Sequence, residues 1–259
     1  MSETEVIVLY EGPLQIIKFN RPAKKNALSL KAYSIIRNAL KSAADNDQIK
    51  ITLVTGVGDY FSSGNDFSSG APVVDEDTEM VVRSAIGHVR EFIRALIDYP
   101  KILIALVNGP AIGIAVTMLG LFDLVYALKT ATFQTPFTSI GISAEGCSTY
   151  TFPRSLGKSL AAKMLYFNYK MDSNEAKACG FVADIITEAN VPEFINGLKR
   201  LAQLPLKSLI YTKQMVRSHD VKSLHYANTV EMENLVELFQ SEEFLTALLN
   251  NATKKKNKL

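Results

Sequence analysis

Two short runs of apolar and β-branched residues, Ile49 to Thr55 and Ile102 to Val107, constrain this chain most. Each is strand-like, each ends in a glycine-bearing turn, and each is followed by residues with helical spacing. A third run of the same kind spans Leu124 to Leu128. Alternation of buried strand and amphipathic helix is the pattern of an α/β fold with a parallel sheet. Residues 6–10 and 14–19 flank Gly12-Pro13 and read as an N-terminal hairpin. Ser29 is placed to cap a helix running to about Asp45, with a stripe of Tyr33, Ile36, Leu40 and Ala43. A second helical stripe contains Val82, Ile86, Val89, Ile93 and Leu96, and Pro100 marks its end. The stretch 71–77 between them is polar and expected to be mobile. From Ser159 onward the pattern is mainly helical: Pro205 separates two helices, and residues 221–250 are long, amphipathic and free of proline.

Composition excludes several classes. A chain of 259 residues can bury a sizeable core without staples. Its two cysteines, Cys147 and Cys179, make neither a disulfide framework nor a metal-ligand spacing, so no metal is expected. The formal net charge of +2, carried in part by the lysines of residues 254–259, gives no nucleic-acid footprint. The start, Met1 to Glu5, is acidic and lacks the apolar core of a signal peptide. The longest apolar stretch is cut by Asn108-Gly109-Pro110, so no membrane span is expected.

Two strand-to-helix junctions carry the candidate chemistry. They are Phe61-Ser62-Ser63-Gly64-Asn65-Asp66-Phe67 and Asn108-Gly109-Pro110-Ala111-Ile112-Gly113-Ile114-Ala115. The second is expected to lead into a helix starting near Gly113. Glycine lets the backbone turn sharply and approach a ligand closely, and a helix N-terminus leaves N–H groups without internal partners. Two such N–H groups aimed at one point form an oxyanion hole, typically worth a few kcal/mol per donor, on the order of 3. Taken singly, each junction fits an ordinary structural turn as well, and neither is a phosphate-cradling motif.

The same segments, in this order and at this spacing, resemble the two signature segments of the crotonase (enoyl-CoA hydratase/isomerase) superfamily. Asn20-Arg21-Pro22, Asn26-Ala27-Leu28, Phe122 to Ala127, Phe133-Gln134-Thr135-Pro136 and Ala176 to Val182 extend the resemblance over roughly residues 5–250. It implies a spiral of ββα units, a core over residues 1–200, a helical region over 201–253 that mediates trimerisation, and a lysine-rich tail over 254–259. It also implies backbone donors at Asn65 and Ile114, and an acyl-coenzyme-A pocket along Ser62, Ser63, Gly64, Asn65, Asp66 and Gly113. Coenzyme A would be part of the substrate, with no separate cofactor. Some relatives carry an N-terminal acyl-CoA-binding domain, whereas this chain is expected to begin at the crotonase core.

Carboxylates divide the superfamily. Hydratases use two glutamates, and the matching positions here hold Thr117 and Phe137. Instead Glu145-Gly146-Cys147-Ser148 resembles the Glu-Gly-Cys-Ser segment of the peroxisomal Δ3,Δ2-enoyl-CoA isomerases. One carboxylate suffices to take a proton from C2 of a 3-enoyl thioester and return it to C4. An apolar pocket strengthens such a base, and Ile112, Ile114, Phe137, Ile140 and Ile142 are candidate walls or plain core. Hydration, thioester hydrolysis and non-catalytic acyl-CoA binding are the competing activities. The terminal Asn257-Lys258-Leu259 resembles the Ser-Lys-Leu peroxisomal address, which implies an import receptor as partner and the peroxisome as location, with the mitochondrion second. Asp66 is also placed to cap the following helix, and Asn108 to fix its turn.

Overall fold

The computed structural model describes residues 4–67 and 78–247. The expected hairpin forms from β1 (Val6–Glu11) and β2 (Leu14–Phe19), which pair antiparallel through a left-handed Gly12. β2 then pairs in parallel with β3 (Ile51–Gly56), and β3 with β4 (Ile102–Val107). After β5 (Ala111–Ile112) the chain adds β6 (Leu124–Leu128) in parallel to β4. β7 (Thr132–Gln134) lies between β5 and β8 (Lys170–Asp172) in a separate three-stranded sheet. β9 (Asp184–Ile186) closes the main sheet beside β6, in the order β1-β2-β3-β4-β6-β9.

The central strands are covered on both faces, which is why they read as unbroken apolar runs. One face carries Leu14, Ile16, Ile51, Leu53, Ile104 and Leu106, packed under Leu198 of α7 (Val191–Leu201). The other carries Ile17, Val54, Leu103 and Ala105, packed against helices α1 (Leu30–Asp45) and α2 (Thr78–Ile97). Ser29 caps α1 as expected, its Oγ accepting the Ala32 N–H at 3.1 Å. The C-terminal end of α1 is closed by the buried Lys101, whose Nζ donates to the carbonyls of Ala43 and Asn46 at 2.6 and 2.7 Å. An ammonium there satisfies orphan carbonyls and opposes the negative end of the helix dipole.

Three expectations change. The helix after Gly113 is a four-residue α3 (Ile114–Thr117) that tightens into a 3-10 turn, Met118–Leu121. Its residues are buried all round, and Gly120 lies so close to Thr151 that an added Cβ would meet Oγ1 at 2.5 Å. The "mainly helical" C-terminal part holds α4 (Ser148–Ser155), α5 (Lys158–Phe167), α6 (Ser173–Ala178), α7 and α8 (Leu206–Ser218), but also β8 and β9. Finally, residues 221–250 are not one helix. α9 (Val221–Leu238) stops, Ser241 Oγ accepts the Phe244 N–H at 3.2 Å, and residues 242–247 are helical again. The Phe239 and Phe244 rings meet edge-to-face at 4.6 Å and hold the bend. The stretch 71–77 and the 254–259 tail lie outside the described residues. No helix among the described residues is long and apolar enough to cross a membrane.

Candidate active site

The two signature loops are bolted together by backbone. Asn108 accepts the Gly56 N–H at 2.8 Å and donates to the Gly58 carbonyl at 2.7 Å, so it fixes the turn as expected. Ser62 N donates to Pro110 O at 3.3 Å, and Ile112 N donates to Ser62 O at 3.0 Å. Gly64, at φ +86°, then passes so near Ile112 that a Cβ would stand 2.6 Å from its carbonyl oxygen. That contact sets Asn65 against Gly113 and Ile114. Gly113 has φ 60° and ψ −127°, a region open essentially to glycine alone. It starts α3, so Ile114 is a first-turn residue whose N–H has no intrahelical partner. Among the described residues neither the Asn65 N–H nor the Ile114 N–H donates to any acceptor.

Glu145 enters from a third segment, between the 3-10 turn Thr138–Ile140 and α4. It is only 3% exposed. Gly146, at φ +71°, has no room for a side chain, because a Cβ would lie 2.4 Å from Thr117 Oγ1. The Glu145 carbonyl accepts the Ser148 hydroxyl at 2.8 Å, while its Oε1 accepts from the side-chain amide of Asn65 at 2.9 Å. Asn65 Oδ1 in turn accepts the Tyr33 hydroxyl. This chain orients the amide: Tyr33 donates to its oxygen, so its nitrogen faces the carboxylate. With Oε1 engaged, Oε2 is the oxygen open to a substrate. Burial pushes the Glu145 pKa up to about 8, and the charge of Glu231 on α9 adds to the rise, against the opposing Asn65 hydrogen bond. Burial and the nearby Glu145 hold the Tyr33 phenol well above its ordinary value, so it remains a donor.

A cavity of about 360 Å³ opens over these groups. Its walls come from Leu28 and Leu30, from Val82, Ile86 and Val89 of α2, and from Met232, Leu235, Phe239 and Phe244 at the C-terminal end. Tyr33, Asn65, Asp66 and Glu145 are among its polar lining groups. Asp66 is paired with Arg21 at 2.7 Å. A larger groove of about 600 Å³ lies on the surface between Arg37, His88, Arg94 and His225. Its charges are tied up with one another, as in His225 to Asp98 at 2.8 Å, and no free backbone N–H group described above faces it.

The structure thus holds Gly64 against Ile112 and Gly113, ties Asn65 to Glu145, and changes other expectations. Ser62 is fully buried; its hydroxyl donates to Asn26 O at 2.8 Å and accepts the Gly64 N–H, so its side chain braces the loop and does not face the cavity. Ser63 is likewise turned to the loop, its N–H bonded to Lys25 O at 2.9 Å. Asp66 pairs with Arg21 at 2.7 Å, and the stretch 68–77, where its cap was expected, lies outside the described residues. None of Ile112, Ile114, Phe137, Ile140 and Ile142 lines the cavity, because α2 and α9 cross over it and supply the walls instead. Thr117 and Phe137 do border the site: Thr117 abuts Gly146, and Phe137 lies 3.7 Å from where a Gly113 Cβ would be. Two residues were missed. Tyr33 read as a plain stripe member, and Glu231 went unremarked within the amphipathic stretch 221–250. Glu231 lies at helical spacing on the buried α9 stripe of Leu224, Ala227, Asn228 and Leu235, and a charge on such a stripe was the available signal.

A parallel sheet running from β2 through β3, β4 and β6 to β9, with glycine-turned loops after β3 and β4, is the architecture of the crotonase fold. Residues 11–258 match the family model for enoyl-CoA hydratase/isomerase, and the chain belongs to that family. Enoyl-CoA delta isomerase 2 of Rattus norvegicus is 43% identical over 251 residues, covering 96% of this chain. The chain spans 64% of that relative's length. The peroxisomal enoyl-CoA delta isomerase 3 of Mus musculus is 40% identical, over 95% of this chain and 77% of its own. Among solved structures, an enoyl-CoA hydratase/isomerase from Pseudoalteromonas atlantica T6c superposes with a TM-score of 0.88 at 27% identity, covering 97% of this chain and 98% of that one.

Proposed function

We propose that this chain is a Δ3,Δ2-enoyl-CoA isomerase that moves a double bond by a single-carboxylate proton shuttle. The observation that carries this reading is the isolation of Glu145. Among the described residues the other carboxylate lining the cavity, Asp66, is paired with Arg21, and Thr117 and Phe137 occupy the positions where a hydratase would hold its glutamates. In the reaction Glu145 Oε2 removes a proton from C2 of a 3-enoyl thioester. The electron pair delocalises over C2, C4 and the thioester oxygen, and the Asn65 and Ile114 N–H groups stabilise that oxygen. The protonated Glu145 then returns the proton to C4, giving the 2-trans-enoyl thioester and the original carboxylate. The apolar walls exclude water, which otherwise would compete for the dienolate.

Coenzyme A enters as part of the substrate, along the Ser63–Asp66 loop. The same reading assigns a homotrimer, favoured by the exposed Leu201, Leu204, Tyr211, Met215 and Val216 of α7 and α8 and the link between them, and a place in the β-oxidation of unsaturated fatty acids. Peroxisomal import through Asn257-Lys258-Leu259 is supported by the name of the mouse relative. The decisive experiment supplies purified protein with 3-enoyl-CoA and separately with 2-enoyl-CoA. The expected result is conversion of the first and little hydration of the second, with Glu145→Gln reducing isomerisation at least about a thousandfold, the scale of losing the essential base. Full activity in that variant, or 3-hydroxyacyl-CoA as the main product, overturns the reading.

A further inference from the structure

Behind the proposed base lies a second buried carboxylate. Glu231 is 3% exposed, and its three acceptor contacts all go to one short segment. Oε2 takes the Cys147 N–H at 2.6 Å; Oε1 takes the Thr149 N–H at 2.9 Å and the Thr149 hydroxyl at 2.6 Å. That segment is the turn from Glu145 into α4. It is a demanding one, because Gly146 and Cys147 are left-handed in succession, at φ 71° and 61°, and Cys147 carries a Cβ. Cys147 is the N-cap of α4 but its side chain makes no capping bond. Glu231 caps the helix from another element. A serine or asparagine at the cap could reach the Thr149 N–H without a buried charge, but not the N–H of position 147 itself, which Glu231 Oε2 accepts.

We propose that Glu231 is a positioning residue for proton transfer: it clamps the Gly146–Thr149 turn so that Glu145 faces the cavity, and it keeps a negative charge behind that base. The proposal rests on the proton-shuttle reading of the site. The groups around the pair are few. Tyr33 of α1 reaches Glu145 only through Asn65, Asp66 is paired with Arg21, and Asn228 of α9 donates to the Arg90 carbonyl of α2. The Arg90 guanidinium is turned to Thr229, and Cys147 is held as a neutral thiol by burial. Nothing in this set opposes the charge of Glu231 at Glu145. Burial lifts Glu231 to about 7, with its hydrogen bonds pulling the other way. The two carboxyls titrate as a coupled pair, the charge on Glu231 opposing a charge on Glu145.

The test measures the pH profile of kcat/KM on a 3-enoyl-CoA for the wild type, E231Q and E231D, beside the folded fraction of each. E231Q is expected to move the acid limb down by roughly half a unit or more, because the like charge is gone, and to lower plateau kcat about tenfold with KM changed less than about threefold. E231D keeps the charge but shortens the clamp, so its limb should stay in place while kcat falls. An E231Q limb and kcat equal to the wild type's, or a change in KM alone, overturns the proposal. Should E231Q not fold, E231D decides: a kcat fall with an unmoved limb supports the clamp, and an unchanged kcat overturns it. Carboxyl carbon NMR of Glu145 reads the same coupling without turnover, and a midpoint unmoved in E231Q is equally fatal. A wild type that leaves 3-enoyl-CoA unchanged sinks the isomerase reading, while the NMR titration still decides the role of Glu231.

Discussion

Asn65 donates its side-chain amide to Glu145 at 2.9 Å, while among the described residues the backbone N–H of the same residue stays unpartnered, on the loop that packs against Ile112 and Gly113. One residue therefore ties the position of the proposed base to that of a proposed oxyanion donor. Tyr33 sets the orientation of that amide. In Tyr33→Phe the amide oxygen loses its donor, and the flipped amide would turn oxygen toward carboxylate. A kcat fall of about tenfold, near 1.4 kcal/mol, is expected with little change in KM. Steady-state kinetics on 3-enoyl-CoA check this, and an unchanged kcat refutes it.

Stability and activity should run in opposite directions with pH. Glu145 and Glu231 have folded pKa values raised to about 8 and about 7, above their ordinary value. The native state therefore binds more protons than the unfolded chain through this window. Their contribution to stability is fully present below the unfolded pKa and is lost as pH rises through the folded values. Glu145 must nevertheless be ionised to accept a proton, so kcat/KM should climb as Tm drops. Parallel melts and rate profiles test the opposition, and Glu145→Gln should flatten the Tm slope.

Gly146 is irreplaceable on two counts, its φ of +71° and the 2.4 Å approach of Thr117 Oγ1 to a would-be Cβ. Gly146→Ala should destabilise the fold by about 2 kcal/mol or more. Adding Thr117→Ala removes the clash but not the backbone strain, so the double variant should recover only part of the loss. Equal stability of the two variants in a double-mutant cycle would show that the clash is relieved some other way.

Lys213 fastens α8 to the sheet. Its buried Nζ donates to Asp123 at 2.7 Å and to the Lys101 carbonyl at 2.6 Å, and burial lowers its pKa to about 8 although Asp123 pulls it up. Removing one partner of a buried pair leaves the other charge uncompensated. Lys213→Ala should cost about 3 kcal/mol, read as a lower urea midpoint with the m-value unchanged. Asp123 keeps the Leu103 N–H and Arg217, which sets an upper bound on the effect.

What the sequence disclosed follows from how far each signal extends. β3, β4 and β6 were legible because both their faces are buried, and α1 because Ser29 marks its start. β5, β7, β8 and β9 have two or three residues each, too few for any periodicity, and exist through pairing such as Phe133 with Met171. Glu145 was legible only through its resemblance to a known segment. The cavity walls were not, since Val89 and Leu235 are stripe residues like any others until α2 and α9 cross. Tyr33 shows the same ambiguity: its ring packs on Phe92 at 4.7 Å, and its hydroxyl serves the site.

The cavity is bounded at one end by Leu28 and at the other by Phe244. A ribosome making this chain from its N-terminus would have released both glycine-bearing loops and Glu145 well before the bend at Phe239 and Phe244 could close the cavity wall. Closure of the cavity thus waits on the segment that carries Phe239 and Phe244, the last of its lining residues in chain order.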